Sequence, residues 1–153
     1  MPTTSRRLRV LFLCGGNSCR SQMAEGWARH LKSNVIEPYS AGTEAHGLNP
    51  NAVRVMAEAG VDISGYLSKT LADLEGIVFD YVITVCSRFD EHCPIFPGKT
   101  IKIHRGFDDP PALARGAKTE DEALAHFRRV RDEIKDFVVS LPESLKRNDP
   151  ITR

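Results

Sequence analysis

The chain has 153 residues, 41% hydrophobic and 27% charged, the size and balance of one globular domain that buries its own core, with no room for a second full domain. Its 21 basic and 20 acidic residues are well mixed and leave a formal net charge of +1, which excludes the electrostatic footprint of a nucleic-acid or anionic-membrane binder. The clusters Arg6, Arg7, Arg9 and Arg128, Arg129, Arg131 read as solvated faces, so any bound anion must be recognised locally.

After the basic N-terminus the longest apolar run is Val10 to Cys14, too short for a signal-peptide core or a membrane span, and a cytoplasmic location is expected. In that compartment Cys14, Cys19, Cys86 and Cys93 are expected as thiols for packing, metal binding or redox chemistry, not as a structural disulfide framework. Leu8 to Cys14, apolar except for Arg9, reads as a buried strand ending at Gly15 and Gly16. A helix follows, with Met23, Ala24, Trp27, Ala28 and Leu31 at helical spacing and Ser18 or Ser21 available to cap it. Val35 to Ser40 reads as a short second strand. Asn49 and Pro50 open a second helix with an inward stripe of Val53, Met56 and Ala57, and Gly60 ends it.

Asp80 to Val85 is the clearest strand, and Thr100 to Ile103 a weaker fourth. In the last helix Thr119 and Glu122 form a capping box. Leu124, Phe127, Val130, Ile134, Phe137, Val138 and Leu141 line one side as far as Pro142. Residues 1–141 therefore read as the domain and 142–153 as a polar tail. Strands alternating with helices predict an α/β fold, a single-domain four-stranded parallel sheet flanked by helices on both faces. Ligands of such sheets sit beyond the carboxyl ends of the strands, at the switch point. Cys14, Cys86 and the pair Asp108 and Asp109 each follow a predicted strand and would share that rim.

The segment Cys14-Gly15-Gly16-Asn17-Ser18-Cys19-Arg20-Ser21 joins strand to helix with small residues, which lets successive amides turn inward as an anion nest at a helix amino terminus. Arg20 can grip two oxygens of a tetrahedral anion, while amides, helix dipole and the Ser21 hydroxyl would hold Cys14 as a thiolate, below the reference value of about 8.5. Cys19, on the first helical turn, reads as packing. From the residues alone the preferred reading of Cys86 is a packed strand-end residue and of Cys93 a bystander thiol, and Asp108 and Asp109 also read as turn residues before Pro110. His92 and His104 lack a close Cys pair of structural-zinc spacing, so no metal site is expected; His46 receives no role.

The stretches CGGNSCRSQMAEGWARHL, YSAGTEAHGLNP, VDIS, ITVCSRFDEHCP and GFDDP, spread over nearly the whole chain, resemble the thioredoxin-coupled arsenate reductases built on the low-molecular-weight tyrosine phosphatase fold. The resemblance implies that Cys14 attacks arsenate on the loop Gly15 to Arg20, with Asp109 protonating the departing oxygen. Cys86 then attacks the Cys14 sulfur and releases arsenite. Cys93 attacks Cys86, leaving a Cys86–Cys93 disulfide for thioredoxin to reduce. It also implies a monomer without a tightly bound cofactor, with phosphate or sulfate as substrate analogues. Arsenic(V) accepts two electrons where phosphorus only transfers, so the substrate decides the outcome on a shared loop.

Two other functions stay open: a phosphomonoester hydrolase acting on phosphotyrosine proteins, and a non-catalytic oxyanion or metal binder. Related phosphatases place an aromatic residue after the acid and proline, whereas Pro111 follows Pro110 here. Some related reductases hold potassium beside the loop with Asn, Glu, Ser and Asp. The first three match Asn17, Glu25 and Ser40, but Lys69 stands at the aspartate position.

Overall fold

The computed structural model describes residues 6–87 and 96–147. Strands β1 (Leu8–Cys14), β2 (Ile36–Gly42), β3 (Tyr81–Thr84) and β4 (Ile101–His104) form one sheet in the order β2-β1-β3-β4. All three pairings are parallel. β1 is central and apolar on both sides: Val10 and Phe12 enter the main core, and Leu11 and Leu13 a smaller one behind it. The chain leaves β1 for β2 on one side and later returns to β3 on the other. The switch point therefore lies just past Cys14.

Helices α1 (Arg20–Leu31), α2 (Pro50–Glu58) and α4 (Glu120–Val139) pack together over the main core, with the short α3 (Pro110–Ala114) against α4. On the opposite face the described residues supply a 3-10 turn, Leu71–Leu74, whose Leu74 joins Leu11, Leu13, Phe79 and Val82. No helix among the described residues is long and apolar enough to cross a membrane.

Helix ends follow local chemistry. Asn49 Oδ1 accepts from the amides of Asn51 and Ala52 at 2.8 and 3.2 Å. Gly60, at φ +86, closes α2 in a Schellman arrangement, its amide on Ala57 O and that of Val61 on Met56 O. Thr119 Oγ1 accepts from the Glu122 amide at 3.1 Å, but the Glu122 carboxylate reaches back to the Lys118 amide, one residue beyond the expected box.

Three expectations are corrected. The inward stripe of α2 is Ala52, Val55 and Met56; Val53 is half-buried and Ala57 exposed, so the face is rotated by about one residue. Leu31 lies 36% exposed at the end of α1 instead of in its stripe. Beyond Pro142 the chain is not a loose tail at once, because Glu143–Arg147 form α5 and Leu145 is buried in the main core.

Candidate active site

The loop after β1 is held by its carbonyls. Gly15 O accepts from the Glu44 amide at 3.0 Å and Thr43 Oγ1 at 3.1 Å, Gly16 O from the His46 amide at 2.9 Å, and Ser18 O from the Asn49 amide at 2.9 Å. Asn17 O accepts from Ser68 Oγ at 2.9 Å. With its carbonyls tied outward, the amides of Gly15 to Ser18 donate to no other group among the described residues, which is the arrangement of an anion cradle. Gly42 makes the close approach of β2 feasible: a Cβ there would stand 2.6 Å from Gly15 O and 2.8 Å from Asn17 N.

Asn17 organises the loop from beneath. It is fully buried and takes φ +47, a left-handed conformation that asparagine tolerates better than most residues. Its Oδ1 accepts from Lys69 N at 2.7 Å and Gln22 Nε2 at 2.9 Å, and its Nδ2 donates to Ser21 Oγ at 2.9 Å. Ser21 Oγ in turn lies 3.1 Å from Cys14 Sγ. The expected Ser cap of α1 is thus absent: Cys19 is the N-cap without a side-chain bond, and Ser21 is directed at the sulfur of Cys14.

A cleft of about 520 Å³ opens over the loop, lined by Cys14, Gly15, Gly16, Ser18, Cys19, Arg20, Thr43, Glu44, His46, Asp109 and Pro111. Arg20 reaches it from the first turn of α1. Its Nη1 donates to Phe107 O at 3.0 Å, and its Nη2 lies 3.7 Å from Asp109 Oδ1. The two aspartates part company here. Asp109 faces the cleft as the residue before α3, whereas Asp108 pairs with Arg129 at 3.1 Å. Burial pushes the Cys19 thiol up, opposed by the nearby Arg20 charge, which suits a packing role.

Sequence reasoning placed Cys14, Gly15, Gly16, Ser18, Cys19, Arg20 and Asp109 at one site, and all line the cleft. Asn17 and Ser21 stand behind it, fully buried. Cys86 follows β3, buried in the same core cluster as Cys14 and outside the cleft lining. It is half of a disulfide, whereas Cys14 and Cys19 are free thiols. Cys93 lies outside the described residues. Thr43, Glu44 and His46 were missed as site residues. Their signal is position, directly after the carboxyl end of β2 at Gly42.

A parallel α/β domain whose switch point holds a cysteine beneath inward amides, with an arginine six residues on, defines a thiol enzyme of the phosphatase-loop type. The chain belongs to the low molecular weight phosphotyrosine protein phosphatase family, whose model matches residues 9–150. It is 48% identical over 138 residues to the arsenate reductase of Bacillus subtilis, across 90% of this chain and 96% of that one. Among solved structures, an arsenate reductase in the phosphate binding state has a TM-score of 0.68 at 32% identity, covering 88% of this chain and 95% of the other. A thioredoxin-dependent arsenate reductase of Corynebacterium glutamicum has a TM-score of 0.63 at 28% identity, covering 96% of this chain and 66% of the other. The family expected from the sequence is the family found.

Proposed function

We propose that the chain is an arsenate reductase acting by a three-thiol relay. Arsenate enters the amide cradle, with Arg20 across its oxygens. Cys14 Sγ, hydrogen-bonded by Ser21, attacks arsenic, and Asp109 donates the proton with which an oxygen leaves as water. The thiolate of Cys86 attacks the Cys14 sulfur, the S–As pair of electrons passes to arsenic, and arsenite departs. Cys93 attacks Cys86, restoring Cys14 as a thiolate and leaving a Cys86–Cys93 disulfide. A dithiol of the thioredoxin type supplies the two electrons that reopen it.

The observation that supports this most is the Ser21–Cys14 contact of 3.1 Å beneath the inward amides, in a chain 48% identical to an arsenate reductase. A residual phosphatase activity goes with the same reading, because a cradle of amides and one guanidinium fits phosphate as well as arsenate. The enzyme is proposed to work as a cytoplasmic monomer, without a tightly bound cofactor. The test is to incubate reduced protein with arsenate, thioredoxin, thioredoxin reductase and NADPH, and to repeat it with glutathione and glutaredoxin. Arsenate-dependent NADPH oxidation with the first mixture supports the relay; none with either mixture counts against it.

A further inference from the structure

The backbone amides and the Arg20 guanidinium that the loop turns on an anion are donors. They suit unprotonated oxygens. At neutral pH inorganic arsenate and phosphate also carry a hydroxyl, and that proton needs an acceptor. His46 stands at the cleft wall beside Gly16, its amide bonded to Gly16 O at 2.9 Å. Its ring lies so near the loop that a Cβ on Gly16 would be 2.4 Å from Nδ1 and 2.9 Å from Cγ. The other ring nitrogen, Nε2, lies 2.6 Å from Glu44 Oε1. A carboxylate can only accept, so Nε2 is the donor of that pair, and in the matching neutral tautomer Nδ1, the ring atom nearest Gly16, is an acceptor. The absent side chain of Gly16 is what admits the ring there.

The geometry points to His46, oriented by Glu44, as the acceptor that recognises the protonated oxygen of an inorganic oxyanion. In a phosphate monoester that oxygen bears carbon instead of hydrogen and offers the ring nothing. His46 would thus be a specificity-determining residue favouring hydrogen arsenate and hydrogen phosphate over monoesters, and Glu44 a positioning residue that fixes the tautomer. This deepens the reading of the loop as an oxyanion site and does not depend on the thiol relay.

The test is calorimetric titration of the reduced protein at about pH 8, where inorganic phosphate is mainly hydrogen phosphate and methyl phosphate is a dianion without a hydroxyl. His46→Ala is expected to weaken phosphate about tenfold while changing methyl phosphate by less than about twofold. His46→Asn, whose amide can take the place of Nδ1, should recover most of the phosphate affinity, and Glu44→Gln should lose an intermediate share. The ring is 59% exposed, so melting temperatures close to the parent's are expected. Equal weakening of both anions, or unchanged phosphate binding in His46→Ala, overturns the assignment. Neither result bears on arsenate reduction, which the coupled assay decides separately.

Discussion

Asn17 Nδ2 donates to Ser21 Oγ at 2.9 Å, and that same oxygen lies 3.1 Å from Cys14 Sγ. With a lone pair of the hydroxyl engaged by Asn17, the serine proton is left for the sulfur. One buried asparagine therefore shapes the loop by its backbone and aims its serine by its side chain.

Ser21→Ala is expected to lower arsenate turnover by about 10²-fold or more, by removing the hydroxyl held 3.1 Å from the Cys14 sulfur, while costing less than about 1 kcal/mol of stability. Asn17→Ala should instead cost about 2 kcal/mol in urea unfolding, because Lys69 N and Gln22 Nε2 lose an acceptor inside the fold. Equal stabilities of the two variants would show that Asn17 does not organise the loop.

Gly42→Ala should disable the cradle without touching any catalytic side chain. The new methyl would meet backbone at Gly15 O, Asn17 N and Glu44 O, all within 2.8 Å, and none of these is the tip of a flexible side chain. Phosphate binding should fall by about tenfold or more while far-UV circular dichroism stays near the parent's. Undiminished phosphate affinity would count against the close packing of β2 on the loop.

By the resemblance, Lys69 stands at the sequence position of the aspartate with which some related reductases hold potassium. Its Nζ donates to Leu67 O at 2.8 Å and stands 3.8 Å from Glu25 Oε1, while Glu25 also accepts from Ser40 at 2.6 Å and Arg29 at 2.7 Å. We infer that a covalently attached ammonium takes the place of the ion. Replacing potassium by a bulky organic cation at fixed ionic strength should leave turnover unchanged, and Lys69→Asp should introduce a potassium dependence. Potassium activation of the unmodified enzyme would restore an ion site.

Asp80 ties the N-terminal segment to the sheet, accepting two bonds from Arg6 at 2.8 Å and one from the Arg9 amide at 2.8 Å. The Arg6 side chain holds its carboxyl below the ordinary range, burial opposing. A depressed folded-state value means that this stabilisation is fully present above the unfolded value of about 3.9 and is lost as pH falls through the folded one. Asp80→Asn should therefore destabilise the protein at neutral pH, and the gap from the parent should close in acid. A gap that persisted at about pH 2 would show that the ion pair is not its source.

Much of the site could be read from residues because strand, glycines and helix occur there in one unbroken run, with local periodicity and turn chemistry in agreement. Where tertiary contacts decide, the reading slipped. In α2 the apolar residues Ala52, Val53, Val55, Met56 and Ala57 adjoin one another, so stripes one residue apart fit the same pattern, and packing with α1 and α4 selected Ala52, Val55 and Met56. Asp109-Pro110-Pro111 reads as a turn, yet proline is also suited to the first turn of a helix, which is how α3 begins. Leu145 is one apolar residue in a polar run, invisible to any periodic pattern, and still it reaches the core. Ser21 has the sequence position of a cap, but the Asn17 side chain donates to its Oγ and the Cys14 sulfur lies against it, contacts that no local pattern announces.

The most direct measurement of the central claim is arsenite release followed together with NADPH oxidation in the thioredoxin-coupled assay, for the parent and for Cys14→Ser, Cys86→Ser and Cys93→Ser. The relay predicts one NADPH per arsenite in the parent, no reduction and no phosphatase activity in Cys14→Ser, and loss of multiple-turnover reduction with retained phosphatase activity in the other two. Cys93→Ser turning over arsenate with thioredoxin as fast as the parent would contradict it.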